Sequence, residues 1–183
     1  MLTDWIKNSK ERKLVYLATV IALVIFGLGF WTIAHRHSLE STVPNHFKDP
    51  RNLLTSYARN KASLGRLCVF AAFAMFPLYF LLRTKKINLT KELKKFISLL
   101  LKWVKLFHVP ISVIAFALIT VHSIIMVFYD WHTDAVDLTG VLSYLLLLPL
   151  GVFGFLRYKR KDKNWHYYLS FAFVFSMLLH TFV

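Results

Sequence analysis

Residues 108–122 read HVPISVIAFALITVH, and residues 166–180 read HYYLSFAFVFSMLLH. Each is an apolar stretch with an imidazole at both ends. At about 3.6 residues per turn, a step of 14 residues is nearly four full turns. The two rings of each stretch therefore share one helix face, about 21 Å apart. No Asp, Glu or Lys lies inside either stretch to neutralise them.

The surrounding chain reads as membrane protein. It has 183 residues, 57% of them hydrophobic, and a mean hydropathy of +0.52, where soluble domains are nearer half apolar. Apolar runs cover 14–34, 66–82, 106–129, 138–156 and 165–183, each close to the ~20 residues that cross a bilayer core as a helix. Lipid offers backbone groups no partner, so spans are helices or closed barrels, and the alternation of barrel strands is absent. The expected fold is an all-α bundle of five transmembrane helices in one membrane-embedded domain. The first run is longer than the 7–15 apolar residues of a signal peptide and no A-x-A site follows it, so it reads as a retained helix. The lone Cys68 leaves no disulfide framework or thiolate metal site and reads as a packing residue.

The formal charge of +14 is distributed as a membrane topology signal rather than a nucleic-acid footprint. Basic residues crowd the segment before the first helix (Lys7, Lys10, Arg12, Lys13), the connector after the second (Arg83, Lys85, Lys86, Lys91, Lys94, Lys95) and that after the fourth (Arg157, Lys159, Arg160, Lys161, Lys163). The connector after the third, YDWHTDAVD, has Asp but no Lys or Arg. By the positive-inside rule the N-terminus is cytoplasmic and the C-terminus outside, which suits a plasma membrane or bacterial inner membrane. The 35–65 connector is then an outer loop, exceptional in carrying basic residues. Trp31, Trp103, Trp131 and Trp165 fall near the ends of the apolar runs, where indole rings favour the interface. KELKKFISLLLKW (91–103) is basic and amphipathic and is expected along the cytoplasmic surface before the third helix. Pro110 and Pro149 can bend their helices, and Gly27, Gly29, Gly151 and Gly154 permit close approach of a helix or flat ligand.

In this topology the third and fifth helices run in the same direction. His108 and His166 lie at the inner level, His122 and His180 at the outer. One membrane histidine alone is commonly an interhelical hydrogen-bonding residue. Equal steps at matched depths on two co-directional helices fit a functional pair better. Two imidazoles are too few for zinc, which usually takes four ligands, but they complete the axial set of a haem iron. Stacked pairs imply two haems b. Ala115 and Phe173, seven residues from both ligands of their helices, fall between them: alanine leaves room, and Phe173 is either an inter-haem spacer or ordinary packing. Ser112 and Ser170, one turn from the inner ligands, can hydrogen-bond locally. The anionic propionates need cations, for which Arg83, Lys102 and Lys105 are candidates inside and Arg59 and Arg66 outside; snorkelling is the competing role of each. The remaining His35, His37, His46 and His132 all read as outer-side, where with Asp130 and Asp134 they can bind ferric ion or serve simply as loop residues.

The stretches RLCVFAAFAMFPLYFLLR, KWVKLFHVPISVIAFALITVHS, TGVLSYLLLLPLGVFGFLR and NWHYYLSFAFVFSMLLH resemble the ferric reductase-like transmembrane domain over about residues 60–183. That family includes ferric-chelate reductases, NADPH oxidases and the haem subunit of the periplasmic methionine sulfoxide reductase system. The resemblance implies two haems b ligated by His108, His122, His166 and His180, in an oxidoreductase or its electron-transfer subunit that passes electrons outward to a ferric chelate or redox protein. Many relatives have a sixth helix, and oxidases carry a flavin- and nicotinamide-binding domain; neither is present in this sequence. The donor is therefore expected to be a cytosolic flavoprotein reductase or a membrane quinol. Two rival readings are a quinone-reactive cytochrome b subunit of a multi-component reductase and, from another class, a haem-free, histidine-lined metal or proton transporter. Transporters tend to carry intramembrane carboxylates, and none lies deep in these helices.

Overall fold

A computed structural model describes residues 6, 8–42, 50–83, 90–158, 161 and 164–183. The protein is all-helical, and no strand occurs among the described residues. The elements are α1 (Ser9–Ala34), α2 (Arg36–Thr42), α3 (Pro50–Phe73), α4 (Met75–Arg83), α5 (Lys91–Tyr129), α6 (Ala135–Tyr158) and α7 (Trp165–Phe182). Four spans are long and apolar enough to cross a membrane: Ser9–Ala34, Leu54–Arg83, Lys91–Tyr129 and Ala135–Arg157. The large apolar side chains of these spans, among them Leu17, Leu23, Leu67, Phe128 and Leu145, face outward. This is the inverted surface of a protein whose solvent is lipid.

The helix starts follow local chemistry. Asn8 caps α1 by accepting from the Lys10 and Glu11 amides, and Thr90 caps α5 by accepting from the Leu93 amide; both satisfy donors that a first turn leaves unpaired. Asp134 does the same for Asp137 in the first turn of α6. Asn164, at φ 71°, turns the chain into α7 and accepts from the Tyr167 and Tyr168 amides. Asparagine tolerates this left-handed conformation better than most residues, and the turn sets His166 at the mouth of α7.

The structure differs from the sequence expectation in three places. The second span does not begin at residue 66: α3 starts at Pro50, so the expected 35–65 loop is helical over Arg36–Thr42 and from Pro50 onward. The helix interrupts at Ala74 instead. Pro77 has no amide hydrogen for the Phe73 carbonyl, and its ring crowds that carbonyl, so the rod breaks into α3 and α4. The amphipathic 91–103 segment does not turn before the third span; it is the first part of a continuous 39-residue helix, α5, with Pro110 inside it. No glycine or proline interrupts 91–109, and helix-favouring Leu and Lys recur there. Trp103 accordingly lies within α5 and not at its end.

α5 is the axis of the bundle. It packs closely on α1 and α3, while α7 packs on α6. The α5 and α7 backbones scarcely approach each other, which leaves a cleft between the two histidine-bearing helices. At mid-height the cleft is closed by a core of Val69, Ala115, Leu147, Phe173, Val174 and Met177, with Cys68 packed against it. A second core of Leu54, Ala58, Val121 and Ile125 joins α3 to α5. Between α6 and α7 the buried Ser143 and Ser176 hydroxyls bond each other at 2.8 Å, and Ser143 donates to the Thr139 carbonyl. Ser176→Ala is expected to cost only about 0.6 kcal/mol, the average for interhelical hydrogen bonds in membranes, measured as a small shift in thermal unfolding in detergent.

Candidate functional site

The four histidines of the two 14-residue steps come together as two facing pairs. The rings of His108 and His166 have centroids 6.1 Å apart with planes at 87°. Those of His122 and His180 are 6.4 Å apart with planes at 52°. Every ring is tied through the same nitrogen. His108 Nδ1 donates to the Ala72 carbonyl at 3.0 Å, His122 Nδ1 to Ala58 at 3.1 Å, His166 Nδ1 to Leu150 at 3.4 Å and His180 Nδ1 to Val136 at 2.8 Å. A carbonyl only accepts, so Nδ1 carries the proton and Nε2 keeps its lone pair. That is the arrangement by which metal-ligating histidines are oriented.

The sequence does not advertise these carbonyls, yet they repeat the histidine step. Ala58 and Ala72 are 14 residues apart on α3; Val136 and Leu150 are 14 apart on α6. Two helices thus supply ligand-type rings and two supply their anchors, all in one register. Gly140 and Gly154, again 14 apart, lie four residues beyond the α6 anchors and directly against the His180 and His166 rings. Gly154 is legible in the sequence as a close-approach residue; the role of Gly140 becomes visible only once its spacing is compared with that of Gly154.

Two imidazole nitrogens bonded at about 2 Å to one atom between them put ring centroids roughly 6 Å apart, close to both observed separations. Among the described residues no cluster of three or more His, Cys, Asp or Glu side chains occurs, so each pair offers a metal two protein ligands. The other ligands must come with the metal, as they do in a porphyrin. The inner pair opens on a cavity of about 620 Å³, lined mainly by apolar side chains including Val69, Val113, Phe116 and Leu150, with His108, His166 and Arg157 at its polar points. This volume lies in the ordinary range for a small-molecule or cofactor site. Gly151 lines it with free space where a Cβ would stand. The residues present therefore fit a flat, largely apolar, bis-imidazole-ligated group.

The expected propionate partners are distributed unevenly. Arg83 is exposed and donates to the Tyr79 hydroxyl, Lys102 and Lys105 are exposed on α5, and none of the three lines the inner cavity. Arg157 does. Arg59 is exposed beside Ala58, the anchor of His122. Arg66 is not at a helix end: on the longer α3 it lies between Ala58 and Ala72, hence between the two histidine levels, and it donates to Ser63 Oγ. A guanidinium at such depth is costly and marks a functional position by default. Ser112 donates to the His108 backbone carbonyl and Ser170 to that of Tyr167, so both hydroxyls bond locally rather than to a ring. Phe173 is 3% exposed and Ala115 2%, which puts both in the packed layer between the pairs.

Among the described residues, His35, His37 and His132 belong to no cluster of three or more His, Cys, Asp or Glu side chains. His35 donates to the Trp31 carbonyl and stacks on its indole, His37 accepts from Arg36, and the His132 amide donates to Asp137. His46 lies outside the described residues. Searches against family models, curated proteins and solved structures give no match to this chain, so its reading rests on its own geometry.

Proposed function

We propose that the chain is a transmembrane di-haem b-type cytochrome that carries electrons from a cytosolic or quinol donor to an extracytoplasmic acceptor, as the resemblance to the ferric reductase-like domain suggests. The observation that carries this reading is the pair of facing imidazole pairs, each ring held at Nδ1 by a backbone carbonyl, which leaves the Nε2 lone pair free of that bond. His108 and His166 hold the inner haem; His122 and His180 hold the outer. Each haem supplies one-electron chemistry at its iron, and the chain supplies the ligands, their orientation and a water-poor surround. Arg157 is the inner cation best placed for a propionate, with Arg59 and Arg66 serving the outer half. Phe173, Ala115 and Leu147 separate the two compartments.

The directional part of the proposal requires α7 to be a fifth span. Its 18 residues cover about 27 Å, it packs on the membrane-length α6, and its two histidines share levels with those of α5. Its mean hydropathy is lowered by the same two histidines and by Trp165, Tyr167 and Tyr168. The charge alternation supports a cytoplasmic N-terminus and an outer C-terminus.

Purified protein is expected to contain two haems b per chain by pyridine haemochrome assay, with low-spin b-type bands in the dithionite-reduced minus oxidised spectrum. Fewer than one haem per chain from haem-replete cells, or a colourless preparation that transports metal, removes the proposal.

A further inference from the structure

The rings of His180 and His166 lie against the α6 backbone at Gly140 and Gly154. A Cβ at Gly140 would stand 2.9 Å from His180 Cε1 and 3.1 Å from its Nδ1. One at Gly154 would stand 3.2 Å from His166 Cε1 and 3.3 Å from its Nδ1. Both glycines are ordinary helical residues without positive φ, so conformational freedom does not explain them. Space does. Nor does every glycine in the bundle serve this purpose: at Gly27 a Cβ meets nothing within 4 Å.

Each α7 ring is restrained twice by α6. Its Nδ1 is bonded to a carbonyl, Val136 or Leu150, and its flank rests on the glycine one turn further along. The hydrogen bond alone fixes where the nitrogen sits and lets the ring swing about the N–H···O line; the ring occupies the space a Cβ would take, so an added methyl would turn it. The α5 rings are held independently by α3. The angle between the two imidazole planes of a pair is therefore set jointly by α3 and α6.

Resting on the di-haem reading, we infer that Gly140 and Gly154 are positioning residues, one for each haem, that fix the rotation of His180 and His166 about the axial direction of the iron. In a bis-imidazole haem that rotation governs the splitting of the iron d orbitals. Perpendicular ligand planes give the most anisotropic low-spin ferric signal, with the largest leading g-value, and parallel planes give the least. The inner pair, at 87°, is already almost perpendicular, so any rotation of His166 lowers its leading g-value. The outer pair, at 52°, can move either way.

The test is low-temperature electron paramagnetic resonance of the oxidised, haem-loaded protein, read beside haem content, for wild type, Gly154→Ala, Gly140→Ala and the control Gly27→Ala. Gly154→Ala is expected to keep both haems and lower the leading g-value of one signal only. Gly140→Ala, with the tighter contact, is expected to shift or eliminate the other signal only, and Gly27→Ala to match wild type. Wild-type protein without two low-spin signals overturns the di-haem reading itself. Two normal wild-type signals left unmoved by Gly154→Ala and Gly140→Ala, or a single substitution that alters both signals, overturn the assignment of the glycines alone. Where Gly140→Ala does not accumulate, Gly154→Ala decides.

Discussion

Replacing His180 by alanine is expected to take haem content from two per chain to one and to cut electron delivery to an external acceptor by more than about a hundredfold. Even the outer-shell partners of metal ligands typically change affinity or activity 10–100-fold when lost, and in the proposed di-haem arrangement His180 is a ligand itself. The remaining ring, His122, would stay anchored to Ala58 by its own hydrogen bond, so the loss should be local. The inner pair is held by different carbonyls about 21 Å away along the helices and should keep its low-spin spectrum and its reduction by dithionite. His122→Ala should give the same phenotype from the opposite side. His108→Ala should give the complementary one, an outer haem that no longer receives electrons from the cytoplasmic donor. Haem stoichiometry and difference spectra on the three variants separate these outcomes. A His180→Ala protein with two haems and unaltered spectra would mean that the rings are paired wrongly.

What the sequence could disclose depended on how conspicuous each residue type is in its background. Histidines at 108, 122, 166 and 180 stand out from aliphatic neighbours, and a 14-residue step converts directly into a shared helix face. The pairing of the two helices was therefore legible. Their anchors were not, because every residue carries a carbonyl and nothing marks Ala58, Ala72, Val136 or Leu150 as the ones that accept. The second span was misplaced for a related reason. Apolar content begins at residue 66, but backbone hydrogen bonding does not need apolar side chains, and α3 carries the polar Arg59 and Asn60 outward while burying Leu54, Thr55 and Ala58. That extension moves Arg66 from an interfacial position to one between the two histidine levels. Arg157, read only as part of a topology signal, reaches the inner cavity because α6 runs on to Tyr158. Of the outer-side histidines, the His35 and His37 rings bond within a few residues of their own position, and His132 bonds Asp137 through its backbone amide.

Phe173 gives the second large effect, and it distinguishes a spacer from a structural wedge. The ring is 3% exposed, seven residues from both histidines of α7, and packed with Ala115, Leu147, Val174 and Met177. It is the bulkiest buried side chain of this core, facing the methyl of Ala115 on α5. Phe173→Ala is expected to leave a void that the surrounding helices close only partly, at a cost of about 3–5 kcal/mol, seen as a marked fall in thermal stability in detergent and as loss of haem on purification. Phe173→Leu retains most of the volume and should cost less than about 1.5 kcal/mol, as near-isosteric core exchanges do. With both haems retained in that variant, the rate of inter-haem transfer after photoreduction isolates what the aromatic ring contributes beyond filling space. Since the ligand positions are set by α3 and α6 and not by Phe173, the rate in Phe173→Leu is expected to stay close to wild type. A strong slowing with intact haem content and unchanged spectra would instead place the phenyl ring on the electron path.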